Sequence, residues 1–262
     1  MGRIVALMNQ KGGVGKTSLT VNLAGVLAEM DYNVLIVDCD PQGHATATFG
    51  INLYTLKKTM YGVLVNQKPI TEIITQVRNN LDIACTNNQL ADAEIDLYMM
   101  TRREDRLRNA LLPIRDRFDF LFLDCPPSLG ILVINVLSAC DDILIPMSCE
   151  FYALIGVRQV LTSLLKMQQE LNPNLNLLGI VPTRFDQRTS HSQGALLEVR
   201  EKVGRHYNVF DTVIRERTDI KDAAASSQII TEYAPRSDAA QDFRQLAQEF
   251  LNAIQQVEKR SN

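Results

Sequence analysis

The chain has 262 residues, of which 46% are hydrophobic and 22% charged, and its formal net charge is −3. No apolar run approaches the roughly 18 residues that a transmembrane helix needs, which argues against a membrane span or a cleaved signal peptide and favours a cytoplasmic protein. The small negative charge gives no general attraction to nucleic acid or to anionic lipid, so either partner would require a local basic patch.

Short apolar segments rich in β-branched residues recur along the chain, with helix-patterned stretches between most of them. They cover residues 4–8, 34–37, 120–123, 143–145, 177–181 and 209–214. This alternation predicts an α/β fold in which helices flank a mainly parallel sheet. Residues 50–89 are the least regular part, with turns at Asn79-Asn80 and Asn87-Asn88, and we expect surface variation there and no chemistry.

The first apolar segment begins at residue 4, which leaves no room ahead of it for a DNA-reading module such as a helix-turn-helix. No strong linker or low-complexity tract interrupts the pattern that follows. We therefore expect residues 1–262 to form a single domain.

A glycine-rich segment follows the first predicted strand and precedes a helical pattern over residues 18–30. In a phosphate-binding loop, glycines let successive backbone N–H groups converge on phosphate oxygens, and the helix N-terminus adds positive potential. Lys16 would bridge the β- and γ-phosphates of ATP, and the Thr17 hydroxyl would complete the shell of magnesium (Mg²⁺). We predict a P-loop NTPase whose nucleotide contacts are Lys11, Gly12, Gly13, Val14, Gly15, Lys16, Thr17 and Ser18.

Two acidic motifs come directly after predicted strands, at the carboxyl edge of the sheet where ligand sites of α/β folds lie. Asp124 ends its strand as a Walker B aspartate would, so we expect it to hold Mg²⁺ through water. Asp38 and Asp40 are two residues apart, so in an extended backbone both face the same side and Cys39 the other. The alternative for either aspartate alone is capping of the helix that follows.

Residues 9–17 read NQKGGVGKT, with Gln10 where the strict loop pattern has glycine, and this segment resembles the deviant Walker A loop of the ParA/MinD family of ATPases. Two further blocks agree with that family, VDCDPQG at residues 37–43 and LDCPPS at residues 123–128. Weaker similarity reaches Ala234-Pro235, so the resemblance covers nearly the whole chain. It implies a Mg²⁺-dependent ATPase of the ParA/Soj partition and positioning type.

The resemblance also implies roles for particular residues. Lys11 would reach into the active site of a second subunit, where a cation supplied in trans offsets the charge of two facing ATP molecules. Dimerisation would then depend on ATP, whereas Lys16 would act within its own subunit. Asp40 would position the attacking water, Asp38 would support the metal shell, and Glu150 would lie at the dimer interface near the other subunit's nucleotide. A solvated surface cation is the alternative for Lys11.

By the same resemblance, the ATP dimer would bind DNA without sequence preference, and a cargo-linked partner protein would trigger slow hydrolysis that lets the dimer fall apart. The protein would then be cytoplasmic and nucleoid-associated. It would partition or position a plasmid, a chromosome or a protein organelle, with the choice of cargo set by the partner protein.

Two other functions of the same superfamily stay open. A metabolic or maturation ATPase would need a substrate pocket or, as an iron–sulfur carrier, paired cysteines. The five cysteines contain no C-x-x-C pair, and we expect small buried thiols at positions 39, 85, 125, 140 and 149. A membrane-cycling protein of the MinD type would need a basic amphipathic helix. The helical pattern near the C-terminus instead carries Asp242, Glu249 and Glu258, so we expect it to pack on the sheet.

DNA binding would need cations displayed on one face of the dimer. Between residues 184 and 221 the chain has eight Lys or Arg residues against six Asp or Glu residues. Where relatives in this family often read Pro-Arg-Asn-x-Arg, this chain reads Arg-Glu-Arg-Thr-Asp at residues 215–219. We predict that Arg215, Arg217 and Lys221 contribute to salt-sensitive DNA binding. A solvated mixed-charge surface is the alternative.

Overall fold

The computed structural model describes residues 1–150 and 152–261 of the chain. Its strands form one sheet in the order β3-β4-β2-β5-β1-β6-β7. Neighbouring strands are parallel except for β3 and β4, which are antiparallel. The strands are β1 Arg3–Leu7, β2 Val34–Asp38, β3 Ile74–Arg78, β4 Leu81–Ala84, β5 Phe120–Asp124, β6 Asp142–Ser148 and β7 Asn176–Thr183.

Helices cover both faces of the sheet, because its central strands are apolar on both sides. In β1, Ile4 and Ala6 belong to one buried cluster, and Val5 and Leu7 belong to the other. The α-helices are α1 Lys16–Glu29, α2 His44–Thr48, α3 Met60–Leu64, α4 Leu90–Tyr98, α5 Arg106–Leu111, α6 Ile131–Ala139, α7 Ala153–Glu170, α8 Ser190–Lys202, α9 Thr218–Ala225, α10 Ile230–Tyr233 and α11 Asp238–Ser261. Helices α4, α6 and α7 bury their apolar residues in the first cluster, and α1 and α11 bury theirs in the second.

Strands β1, β2 and β5 end at the same edge of the sheet. Leu7 at the end of β1 and Asp38 at the end of β2 are both register partners of Asp124 at the end of β5. The loop that follows β1 therefore starts beside Asp124, with Asp38 one strand further along. Parallel register alone thus brings the glycine-rich loop and both acidic motifs together.

Five of the six predicted strands are confirmed, as β1, β2, β5, β6 and β7. The prediction of a strand over residues 209–214 is wrong, because among the described residues this segment forms a single isolated bridge to β7, between Val209 and Ile180. Pro182 in β7 has no N–H to donate at the next position of the ladder. The carboxylate of Glu249 instead accepts the backbone N–H groups of Asp211 and Thr212 at 2.7 and 2.9 Å.

Residues 50–89 contain two strands that the sequence pattern did not predict. Strand β4 has only four residues, too few to show a period, yet it pairs in parallel with β2 inside the sheet. Strand β3 lies at the sheet edge and returns through the predicted turn at Asn79 and Asn80, where Asn80 has a φ of 57°. Residues 50–89 are therefore more regular than expected, whereas the expectation that they carry no chemistry stays a prediction.

The C-terminal helix α11 packs on the sheet, as predicted. Phe243 and Phe250 are fully buried in the second cluster. The ring of Phe250 lies 5.3 Å from that of Phe120 and 5.5 Å from that of Phe122, measured between ring centroids. Within the described residues, every helix is too short or too polar to cross a membrane.

Candidate nucleotide-binding site

The loop between β1 and α1 is built on two glycines in left-handed backbone conformations. Gly13 has a φ of 72°, and Gly15, which precedes the first residue of α1, has a φ of 88°. Residues with side chains rarely adopt such angles, whereas Val14 between the glycines is buried. The backbone therefore curls around the N-terminus of a 14-residue helix, where N–H groups and the helix dipole attract anions.

Neighbouring strands anchor this loop. The Asn9 side chain donates from Nδ2 to the Pro146 carbonyl at 2.7 Å, and its Oδ1 accepts the Lys11 backbone N–H at 3.0 Å. At the end of β7, the Thr183 hydroxyl donates to the Val14 carbonyl at 2.8 Å in a buried position. Hydrogen bonds to β6 and β7 thus hold the backbone of the loop.

The two lysines of the loop lie in different surroundings. Lys16 is only 7% exposed, and its Nζ is 3.5 Å from the carbonyl oxygen of Lys11. The Lys11 side chain is 46% exposed and forms an ion pair with Glu150, which follows β6. Arg184 contacts the other carboxylate oxygen of Glu150 at 3.4 Å. The pKa of Glu150 is lowered, chiefly by the hydrogen bond from Lys11.

Asp124 lies fully buried beneath the first turn of α1. Its two oxygens accept hydrogen bonds from the hydroxyls of Thr17 at 2.7 Å and Thr20 at 3.2 Å. Burial raises the pKa of Asp124 to about 6, and the hydrogen bond from Thr17 opposes this shift. Mg²⁺ in phosphate-transfer sites is held by one or two carboxylates together with substrate phosphates. The Thr17 hydroxyl and the Asp124 carboxylate are oxygen ligands suited to Mg²⁺, so the residues present fit the ion.

Asp38 is also fully buried, and both of its oxygens are engaged. Oδ2 accepts the backbone N–H and the hydroxyl of Thr46 at 2.8 and 2.7 Å, and Oδ1 accepts the Asp40 N–H at 3.3 Å. Burial and, secondly, the charge of Asp124 raise the pKa of Asp38 to about 7. Since Thr46 lies in the first turn of α2, Asp38 also satisfies a helix N-terminus. Its support of a metal shell stays a prediction.

Asp40 lies two residues after the end of β2 and is 8% exposed. Its Oδ1 accepts the backbone N–H of Gln42 at 2.9 Å. Among the described residues, the other carboxylate oxygen has no hydrogen-bond partner within the protein. A carboxylate with a free oxygen at the edge of the site can accept a hydrogen bond from water, as the predicted water-positioning role requires.

A cleft of about 210 Å³ opens beside the glycine-rich loop. It is lined by residues of the loop and α1, by the segment that leads into α9 and the first residues of α9, and by Phe243 of α11. The apolar part of this lining comprises Leu19, Ile214, Ile220 and Phe243. A cleft with apolar walls next to a phosphate-binding loop suits the flat face of a nucleotide base. No adenine contact was predicted from the sequence.

The three cations predicted to bind DNA line the same cleft. Arg215 is held by acids: its guanidinium lies 2.6 Å from Asp242 and 3.1 Å from Asp238. Arg217 lies 3.4 Å from Asp238 as well. Lys221 is 77% exposed, so its ammonium is the most accessible of the three. The geometry favours Lys221 over Arg215 as a phosphate contact, and DNA binding stays a prediction.

Four side chains that shape the site were not singled out from the sequence. Thr20 lies three residues after Thr17 and so on the same helix face, and Thr183 follows a predicted strand at the same sheet edge as Asp124. Both residues could therefore have been predicted as site residues from the sequence. Thr46 lies eight residues after its partner Asp38 but in a different element, so no helix or strand repeat relates the two. Arg184 lies far along the chain from Gly13, so only the fold brings it to the site. The four residues are Thr20, Thr46, Thr183 and Arg184.

Comparison with known proteins finds relatives over nearly the whole chain. A family model described as an AAA domain matches residues 2–177. The sporulation initiation inhibitor protein Soj of Bacillus subtilis is 40% identical over 252 residues, which cover 95% of this chain and 98% of that protein. The chromosome partitioning protein ParA of Myxococcus xanthus is 37% identical over 253 residues, which cover 96% of this chain and 88% of that protein.

One similar solved structure is that of cobyrinic acid a,c-diamide synthase from Mycobacterium smegmatis with bound ATP analog and magnesium. It is 33% identical, has a TM-score of 0.85, and covers 97% of this chain and 96% of its own. The similarity in both sequence and fold therefore extends well beyond the glycine-rich loop.

Proposed function

The chain belongs to the ParA/MinD family of P-loop ATPases with a deviant Walker A loop, and from this premise we propose that it is a partition or positioning ATPase of the ParA/Soj type. It hydrolyses ATP with Mg²⁺, forms a sandwich dimer when ATP is bound, and binds DNA without sequence preference as that dimer. A cargo-linked partner protein stimulates slow hydrolysis, and loss of the γ-phosphate then favours monomers. The protein works in the cytoplasm on the nucleoid.

The different placement of the two loop lysines carries this proposal. Lys16 is buried in the glycine-rich loop, whereas Lys11 extends to the surface and pairs with Glu150. A buried cation suits the phosphates of its own subunit, and an exposed one suits those of another. Two facing ATP molecules concentrate negative charge, so a dimer that supplies one Lys11 to each site is stabilised only while nucleotide is present.

The remaining site residues divide the chemistry between them. The backbone of residues 12–17 and the Lys16 ammonium bind the phosphates, and the cleft lined by Phe243 takes the base. Thr17 and Asp124 would hold Mg²⁺, which would supply positive charge to offset that of the phosphate oxygens. Asp40 orients the attacking water through its free carboxylate oxygen. Asp38 supports this arrangement through its bonds to the loop that carries Asp40.

DNA binding would depend on exposed cations around α9, and a dimer presents two copies of this surface. Lys221 is the exposed cation of the predicted set, and Arg217 adds a second charge beside it. Acidic neighbours reduce the local field, because Glu216 lies 3.9 Å from Lys221. We therefore expect weak binding, driven by the release of counterions from the DNA and lost as salt rises.

Sedimentation of the wild-type chain with three additives tests the proposed function. With ATP and Mg²⁺ the chain should sediment as a dimer and bind duplex DNA of unrelated sequences, whereas ADP should leave it monomeric and unbound. Vesicles that contain anionic lipid should stay free, because the apolar stripe of α11 is buried in the core. ATP-dependent vesicle binding without DNA binding would instead support a membrane-cycling ATPase. A monomer in saturating ATP would contradict the proposal.

An ATP-dependent amide-forming enzyme is the second candidate, because the Mycobacterium smegmatis structure carries that name at 33% identity. Such an enzyme needs an acid substrate beside the γ-phosphate. A larger cleft of about 640 Å³ lies between α3 and α5, but none of its lining residues belongs to the nucleotide site. Formation of ADP strictly coupled to amide formation from a carboxylic acid and an amide donor would favour this candidate over the partition ATPase.

A further inference from the structure

Glu150 carries two cations at once. Its Oε2 accepts a hydrogen bond from the ammonium of Lys11, and its Oε1 lies 3.4 Å from Nη1 of Arg184. The three side chains are between 40% and 46% exposed, so all of them lie at the rim of the nucleotide site. One carboxylate is therefore shared between a lysine of the phosphate-binding loop and an arginine that follows β7.

Arg184 is fixed more firmly than Lys11. Its Nη1 also donates to the Gly13 carbonyl at 3.0 Å, and its Nη2 contacts Glu216 at 3.1 Å. Its backbone adopts a φ of 50°, a left-handed conformation that residues with side chains seldom adopt and that the surrounding structure must hold. Lys11 is bound by Glu150 alone through its side chain, among the contacts of the described residues.

In the proposed dimer, Glu150 would lose its ion pair with Lys11. If Lys11 moves to the phosphates of a second subunit, a carboxylate left without a cation near two triphosphates is unfavourable. Arg184 already lies on the second oxygen of Glu150 and needs no rearrangement to remain there. Its guanidinium can contact several acceptors at once because its donors form a rigid fork.

We propose that Arg184 is a positioning residue of the nucleotide site, which keeps Glu150 neutralised when Lys11 leaves it to act in a second subunit. This inference rests on the proposed function, in which Lys11 acts in trans. Arg184 thereby favours ATP-dependent dimerisation without touching the reacting atoms. Glu150 opposes dimerisation in so far as it holds Lys11 on its own chain.

A double-mutant cycle at Arg184 and Glu150 tests this role. With a non-hydrolysable ATP analogue and Mg²⁺, analytical ultracentrifugation gives the protein concentration at which half of the chains are dimeric. Arg184→Met should raise that concentration about threefold to tenfold, the range expected for a partly exposed ion-pair network. Arg184→Lys, which keeps a cation, should recover part of the loss. Glu150→Gln keeps the hydrogen-bonding atoms but removes the charge, so in its background Arg184→Met should have less than a twofold effect.

The matched control is Arg188→Met, in the same loop, where the guanidinium pairs with Asp186 and is 82% exposed. It should leave dimerisation unchanged. If Arg184→Met weakened dimerisation as much in the Glu150→Gln background as in the wild type, Arg184 would act only by holding the loop. That result would overturn the proposal. Wild-type dimerisation by Arg184→Met would overturn it too. The wild-type and Lys11→Ala arms report on the proposed function itself: a monomeric wild type, or a Lys11→Ala chain that dimerises normally, defeats that function and this inference together.

Discussion

The phosphate-binding loop carries two lysines and the surface around α9 carries arginines and a lysine, yet the two regions hold their cations differently. In the loop, Lys16 is 7% exposed and sits among backbone groups whose positions are fixed by Asn9 and Thr183. Around α9, Lys221 is 77% exposed, and its nearest partner is an acid 3.9 Å away. A buried cation is held in one geometry and can serve one role. The charges of exposed cations among acids are screened by water and salt, so each contributes less.

The largest effect that this comparison predicts is at Lys16. Lys16→Ala removes the buried cation, so nucleotide affinity, dimerisation and turnover should be lost together, with kcat/KM lower by about 10³-fold or more. Lys11→Ala should keep nucleotide binding and lose dimerisation, because its target lies in the other subunit. Fluorescent nucleotide titration beside sedimentation separates the two, with Lys58→Ala as a remote surface control. Equal loss of nucleotide affinity in both variants would mean that Lys11 acts in cis.

A smaller but still large effect is expected at Asp40. Asp40→Ala removes the carboxylate that orients water but leaves the phosphate contacts intact, so turnover should fall by about 10²-fold or more while the ATP dimer persists. Phosphate release under stimulation by the partner protein measures turnover, and sedimentation in ATP measures the dimer. Asp40→Asn, which keeps the side-chain shape, controls for packing. Undiminished hydrolysis in both variants would remove Asp40 from the mechanism.

On the exposed side of the comparison, single changes should be milder. Lys221→Glu alters one charge site per subunit, so DNA affinity at low salt should fall about tenfold, and the slope of log K against log salt should shrink by about two for the dimer. Filter binding or fluorescence anisotropy at several salt concentrations measures both quantities. The same substitution at Lys58, which is 63% exposed and paired with Glu72, is the matched control. An identical slope in the Lys221 variant would remove this lysine from the DNA surface.

Arg215 differs from Lys221, although both belong to the surface around α9, because two ion pairs hold the Arg215 side chain in place. Its ion pairs with Asp242 and Asp238 tie the segment before α9 to α11. Replacing Arg215 together with Lys221 would therefore mix a loss of stability with a loss of DNA contacts. For this reason the Lys221 variant is the cleaner probe.

The smallest expected effect concerns the anchoring of the loop. Thr183→Val removes the hydroxyl that donates to the Val14 carbonyl at 2.8 Å in a buried position. An unsatisfied buried carbonyl should lower the free energy of unfolding by about 1–2 kcal/mol and raise the KM for ATP modestly. Urea unfolding followed by circular dichroism checks the first effect. Thr162→Val, whose hydroxyl bonds a helix carbonyl at an exposed position, should change little. Identical unfolding curves for wild type and Thr183→Val would show that this bond does not stabilise the loop.

The sequence was sufficient where local pattern and chemistry coincide. The order Lys-Gly-Gly-Val-Gly-Lys-Thr between a strand and a helix located the phosphate-binding loop, because left-handed backbone at Gly13 and Gly15 needs glycine. Five of the six predicted strands are confirmed, because their continuous apolar runs are buried on both faces of the sheet. The prediction over residues 209–214 failed, since a missing N–H at Pro182 and a carboxylate from α11 are contributed by distant segments.

By itself, then, the sequence determined the parallel sheet, the loop and the acidic residues at its edge, since these follow from short-range periodicity and from the conformations that glycine permits. Only the tertiary structure decided that α11 binds Arg215 and that Arg184 shares Glu150 with Lys11. Side-chain hydrogen bonds and ion pairs depend on distances of about 3 Å between segments far apart in the chain. No local pattern encodes those distances, because packing of the whole sheet and its helices sets them.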